Sequence, residues 1–117
     1  MAEALVLTEP LSFWGGFDPA SGRIVDARHP QRGEIVTGRV LVMPSGRGSS
    51  SSSSVLAEAV RLGTGPAAIV LRQLDEIVAL GLLVAEELYG VATPLVVLDE
   101  RAYDALRTGM ELAVPPG

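Results

Sequence analysis

Three uninterrupted apolar runs constrain this 117-residue chain more than any other feature: 40–43 (Val-Leu-Val-Met), 67–71 (Ala-Ala-Ile-Val-Leu) and 95–98 (Leu-Val-Val-Leu). Runs without alternation are what strands covered on both faces look like. Between them lie 55–62 and 76–89, each long enough to be a crossover helix, and right-handed crossovers would lay the three strands parallel in one sheet. The expected class is therefore α/β.

The first of these strands runs straight into Pro44-Ser45-Gly46-Arg47-Gly48 and then six consecutive serines, 49–54, before the helical pattern begins at Val55. A strand that enters a glycine turn opening a helix aims unpaired backbone N–H groups and the positive end of a helix dipole at one spot. Such a spot suits a carboxylate, a phosphate or a developing oxyanion. Serine runs are also common as flexible linkers. Here the linker reading is the weaker one, because residues 1–43 carry too few core signals to fold alone and apolar periodic residues abut the run on both sides. Some of the serines serve simply as helix caps.

In chain order, 4–7 reads as a strand that ends at Pro10, and 12–14 and 23–26 read as two strands of a hairpin around the turn-rich segment 15–22. Phe13 and Trp14 are expected in the core. His29 is the single histidine; in a charged loop before Pro30 it reads as an exposed side chain. The helix at 55–62 places Val55, Leu56, Ala59 and Val60 on one stripe and stops at Gly63. The helix at 76–89 is apolar nearly all round, which means either burial or a surface shared with another body, core packing being the simpler reading. A third helix over 100–107 turns Ala102, Tyr103 and Leu106 inward, and 110–114 forms a last strand after Gly109.

Composition removes several chemistries. There is no cysteine, so no disulfide, thiol nucleophile or thiolate-held metal can come from these residues. All nine basic residues are arginine, which excludes a Schiff base and the lysine of a Walker loop. A net charge of −5 argues against nucleic acid or an anionic membrane as partner. The first residues show neither a basic region nor a long apolar segment, so no signal peptide or membrane span is expected and the expected location is cytoplasmic. At this length one domain, 1–117, is expected.

The residues also carry a resemblance. Phe13-Trp14-Gly15-Gly16-Phe17-Asp18-Pro19, Gly22-Arg23-Ile24-Val25-Asp26, Arg28-His29-Pro30 and the run from Gly38 through Pro44-Ser45-Gly46-Arg47-Gly48-Ser49-Ser50-Ser51, continuing through 66–71 and 94–98, together resemble the small subunit, or swivelling domain, of the aconitase X family. The order and spacing of these motifs, more than any one of them, make the likeness specific. It implies a three-layer β/β/α swivelling domain, as in aconitase-type hydro-lyases, docked on a larger aconitase-like subunit. It further implies that an iron or iron–sulfur cluster sits in that large subunit and that no cofactor is bound by this chain.

In aconitase-type hydro-lyases the swivelling domain contributes a serine base from a Gly-Ser-Ser turn. Matched here, Gly48-Ser49-Ser50 makes Ser49 the base. Classical aconitases follow the two serines with an arginine, where this chain has Ser51; Arg47, before the turn, is the candidate replacement. The expected roles are proton abstraction by Ser49, orientation of substrate oxygens by Ser45, Ser50 and Ser51, and pairing of Arg47 with a small anionic substrate, with Gly48 also part of the substrate-binding turn. Family members of this kind dehydrate cis-3-hydroxy-L-proline, and archaeal ones 5-phosphomevalonate; the hydroxyproline reaction is the expectation. The alternatives are the phosphomevalonate small subunit, a stand-alone anion-binding module without chemistry, and a structural partner with a degenerate site.

Overall fold

In the computed structural model, residues 1–48 and 50–114 are described. The chain order is β1 (Ala2–Val6), α1 (Phe13–Gly16), β2 (Phe17–Asp18), β3 (Arg23–Ile24), β4 (Val40–Met43), α2 (Ser51–Leu62), β5 (Ala68–Leu71), α3 (Glu76–Tyr89), β6 (Leu95–Val97), α4 (Glu100–Asp104) and β7 (Glu111–Leu112). The main sheet has the order β6-β5-β4-β1-β7. β1, β4, β5 and β6 pair in parallel, Leu41 facing Leu5 on one side and Ile69 on the other, and β7 closes the far edge antiparallel to β1.

Strand periodicity divides the core in two. Leu5, Leu41, Met43, Ile69 and Leu71 point to one face, where they meet Leu56, Ala59 and Val60 of α2, Val78, Leu82 and Ala85 of α3, and Phe13, Phe17, Ile24 and Val36 of the excursion between β1 and β4. Ala4, Val40, Val42, Ala68 and Val70 point to the other, under Tyr103 of α4 and the partly buried Leu98, Leu106 and Leu112. The cover on that second face is thin: Tyr103 is its one large buried side chain among the described residues, with the Arg72 guanidinium 5.6 Å from its ring centre. Burial pushes the Tyr103 phenol above its usual range, so it stays neutral.

The expected strands 40–43, 67–71 and 95–98 and the helix 76–89 are present with little change. Gly63 and Gly90 end α2 and α3 in the left-handed conformation, with φ of 80° and 70°. The serine run is no linker: its residues 51–54 form the first turn of α2.

Several expectations need correction: α2 starts four residues earlier than the expected 55–62, and the last strand is Glu111–Leu112 rather than 110–114. The segment 12–14 is not a strand but leads into a kinked helical turn, with Trp14 and Gly15 off helical geometry. A hairpin does form, but between Phe17–Asp18 and Arg23–Ile24. Trp14 is 60% exposed while its neighbour Phe13 is buried, because the kink turns successive side chains to opposite sides. α3 is not fully buried: Leu80, Leu83 and Leu88 face solvent. Val96 and Val97 of β6 are exposed as well, since that strand is an edge rather than an interior one. α4 stops at Asp104 and leaves Ala102 exposed.

His29 is the sharpest departure, at 4% exposed. Its Nδ1 accepts from the Gln31 N–H at 3.0 Å and its Nε2 lies 3.1 Å from the Glu9 carbonyl. With Nδ1 used as an acceptor, the ring is the neutral Nε2–H tautomer and donates to Glu9. Gln31 in turn accepts from the Thr8 N–H at 3.2 Å. The loop carrying His29 is thereby stitched to the segment that leaves β1. Replacing His29 with alanine removes both partners at once and is expected to cost about 1–3 kcal/mol in urea unfolding. His29→Asn, which retains an acceptor near the Nδ1 position, should recover part of that loss. A His29→Ala protein as stable as the parent would show that water replaces the ring.

Candidate functional site

The turn after β4 lies at the carboxyl edge of the parallel strands, where the chain departs toward β5 and β6 on one side of β4 while β1 flanks the other. This is the usual position for a ligand crevice in such sheets. Two straps hold the turn. On one side the segment after β1 runs beside it: Leu11 forms a parallel bridge with Gly46, and the Arg47 N–H donates to the Leu11 carbonyl at 3.3 Å. On the other, the Arg72 and Gln73 N–H groups donate to the Pro44 carbonyl at 3.2 and 3.0 Å.

Neither glycine of the turn has room for a side chain. A Cβ at Gly46 would lie 2.8 Å from Oδ2 of Asp75 and 2.8 Å from Cγ2 of Val78. Gly48 has φ of 106°, and a Cβ there would collide with the Ser12 hydroxyl. Ser12 Oγ donates to the Trp14 carbonyl at 2.9 Å, and the Trp14 N–H donates to Ser52 Oγ at 3.2 Å. The kinked turn α1 is thus fastened against the first turn of α2 through a serine that is 4% exposed.

The three longer helices begin differently. α3 and α4 start at Asp75 and Asp99, whose carboxylates accept first-turn N–H groups, with Glu76 and Glu100 behind them. α2 starts at Ser50, which makes no side-chain cap, and its first turn holds no acidic residue. Its positive end is therefore not neutralised from within the helix. Arg47 adds a cation at the same place; it is half exposed, and its Nη2 lies 3.7 Å from Oδ2 of Asp26.

Of the sequence-predicted site residues, Ser45, Arg47, Gly48, Ser50 and Ser51 are brought to this one turn. Ser45 is partly buried and its hydroxyl donates to the Gly46 carbonyl at 3.1 Å. Arg47, Gly48, Ser50 and Ser51 are exposed. Ser49 lies outside the described residues. Sequence reasoning missed Ser12, Asp26, Ser52 and Asp75 at this site. Ser52 was legible in principle, since 52, 56, 59 and 60 form one helical stripe that could have been extended back into the serines. Ser12, Asp26 and Asp75 are distant in sequence and carry no local signal.

The turn opens on a cleft of about 10 Å³ lined by Phe13, Arg47, Gly48, Ser52, Asp75 and Val78, room for about one water. A small organic anion does not fit inside it and would lie on the exposed rim. A wider open recess of about 590 Å³ occurs elsewhere, around Glu3, Glu34 and Arg39. There Arg39 is held between the two carboxylates at 2.9 Å each, so its charge is already paired. Among the described residues no group of three or more His, Asp or Glu could hold a metal ion, and no helix is long and apolar enough to cross a membrane.

The whole span 1–117 matches the family described as the aconitase X swivel domain. The cis-3-hydroxy-L-proline dehydratase of Pseudomonas aeruginosa is 52% identical over 99 residues, covering 85% of this chain but only 17% of that protein's length. The phosphomevalonate dehydratase small subunit of Methanopyrus kandleri is 43% identical over 117 residues, covering 99% of this chain and 82% of the relative. Among solved structures, the holo-form of Thermococcus kodakaraensis aconitase X superposes with a TM-score of 0.81 at 34% identity, over 93% of this chain and 77% of that one. The α/β swivelling-domain fold expected from the sequence is the fold of this neighbour.

Proposed function

The chain belongs to the aconitase X swivel-domain family, and from that membership we propose that it is the small, swivelling part of a dehydratase acting on cis-3-hydroxy-L-proline. The observation that carries the substrate choice is the 52% identity to a protein of that name. Within one domain, 1–117, the turn after β4 is the part that meets substrate. Because the cleft at the turn is too small for a ligand, the remaining walls come from a larger aconitase-like subunit that closes on it and excludes water.

In this reading Ser49 takes the proton from the carbon beside the substrate carboxylate. The electrons of that C–H bond form the double bond as the C–O bond to the neighbouring hydroxyl breaks, and the hydroxyl leaves as hydroxide, which becomes water by taking a proton from a general acid on the larger subunit or from solvent. An alkoxide is far too basic to persist in bulk water. It is reached here through the unneutralised positive end of α2, the turn's N–H groups and Arg47. Arg47 pairs with the carboxylate of the substrate, and Ser45, Gly48, Ser50 and Ser51 orient its oxygens. The iron or iron–sulfur cluster of aconitase-type enzymes is expected in the larger subunit. With no cysteine and no three-residue donor cluster among the described residues, this chain's residues do not fit such a group. The reading places the complex in the cytoplasm with no nucleic acid or membrane as partner.

A second reading, the small subunit of a phosphomevalonate dehydratase, is favoured by the extent of the match to the Methanopyrus kandleri protein, which this chain covers over 82% of its length. Joining the chain to an aconitase-like large subunit, anaerobically with iron, and assaying both substrates separates the two. Dehydration of cis-3-hydroxy-L-proline, with 5-phosphomevalonate left unchanged, is the expected result. The reverse preference would select the second reading. A stable iron-loaded complex that turns over neither would move the chain to a non-catalytic anion-binding module.

A further inference from the structure

We propose that Asp26 is a positioning residue for the substrate-binding arginine: its carboxylate aims the Arg47 guanidinium across the rim of the serine turn. The proposal rests on the reading that Arg47 meets the anionic group of the substrate. Arg47 needs such a partner, because its side chain is long and 48% exposed, while the backbone bond to Leu11 fixes only its main chain. A free arginine at a rim would sample many rotamers and bind an anion in many orientations.

Asp26 is built to prevent this. Its two oxygens are divided between two tasks: Oδ1 accepts from the Arg28 N–H at 2.9 Å, and Oδ2 faces Arg47 Nη2 at 3.7 Å. Its backbone is held as well. The Val25 and Asp26 N–H groups both donate to the Gly16 carbonyl at 2.9 and 3.3 Å, and the His29 N–H donates to the Asp26 carbonyl at 3.1 Å. Gly16 packs so closely that a Cβ there would touch the Asp26 Cβ at 3.5 Å. The buried His29 ring then ties the same loop to the Glu9 carbonyl, two residues before the Leu11 that grips Arg47. The loop 26–31 therefore sets both ends of Arg47, the guanidinium through Asp26 and the main chain through the strap it anchors.

The sign of the effect separates orientation from charge. A carboxylate beside Arg47 weakens the local positive potential, so on charge alone Asp26→Asn should tighten the binding of an anionic substrate. Asparagine still accepts from Arg28 through its carbonyl oxygen but presents an amide, not a carboxylate, to Arg47. If orientation matters more, KM rises about tenfold while kcat changes less. The test is a cycle on the assembled dehydratase, comparing the parent, Asp26→Asn, Arg47→Ala and the double variant, with thermal melts to verify folding. Expected are a raised KM for Asp26→Asn in the parent and no further change when it is added to Arg47→Ala. An Asp26→Asn enzyme with unchanged or lower KM, beside an impaired Arg47→Ala enzyme, would overturn the proposal and leave the role of Arg47 standing. So would an equal loss from Asp26→Asn in both backgrounds. An Arg47→Ala enzyme with parental kcat/KM would overturn the reading of Arg47 and the proposal together.

Discussion

Ser49→Ala is expected to lower kcat of the assembled dehydratase by about two to four orders of magnitude, the usual contribution of a positioned general base. KM should move much less. Substrate is held in the proposed site by Arg47 and the turn around it, whereas proton abstraction happens only in the transition state, and an interaction made only there appears in kcat. Residual activity is expected because the positive end of α2 and Arg47 still stabilise the developing charge. A thermal melt of the variant beside the parent separates a loss of chemistry from a loss of fold. Steady-state kinetics beside that melt decide the matter. Full turnover would assign the proton to another group, and Ser50 and Ser51, exposed on the same turn, would be the next serines to replace.

Phe13→Ala is expected to have the largest effect on stability, about 3–5 kcal/mol in urea unfolding. Phe13 is 1% exposed and stacks edge-on against Phe17, with ring centres 5.3 Å apart and planes at 70°. Alanine would leave a cavity beside Phe17 that joins the cleft lined by Leu11, Ile77 and Val78, and α3, which carries the last two, cannot move inward without colliding with α2. The contact is already tight there: a Cβ at Gly81 would lie 2.9 Å from the Ser53 carbonyl. A loss of that size is a large share of the total stability of a domain this small. It also bears on function, because Phe13 sits between Ser12, whose hydroxyl lies against Gly48, and Trp14, whose N–H donates to Ser52 Oγ. Phe13→Leu, which fills most of the volume, should cost much less. Equal small losses for both variants would show that the strap collapses onto the vacancy and that the aromatic contact adds little.

The parts of the site differ in how far they could be read from the chain. The turn itself was legible, since an apolar run, two glycines around an arginine and a serine-rich helix start are local signals with local causes. So was the direction of its chemistry, because α2 opens on serines while α3 and α4 open on Asp followed by Glu. Trp14 was read wrongly because the kink at Trp14 and Gly15 reverses which of two adjacent aromatic residues faces the sheet. His29 was read wrongly because its charged, proline-flanked loop looks solvent-facing until the Glu9 carbonyl comes to meet it from twenty residues away. The outer face of α3 was misjudged for the opposite reason: apolar residues all round a helix do not state whether one side or both will be covered.

By itself the sequence determined the parallel strands, the carboxyl ends of the long helices and the serine turn, along with the absence of thiol and lysine chemistry. Each of these depends on residue type, on periodicity over a few residues, or on composition. Tertiary structure alone decided that the partner of Ser52 is the Trp14 N–H, that Asp26 is the carboxylate beside Arg47, and that Gly46 must be bare to admit Asp75. Those facts follow from the strand order β5-β4-β1, which places segments far apart in the chain side by side at one edge of the sheet. Contacts of that kind arise between segments, and no single segment carries them.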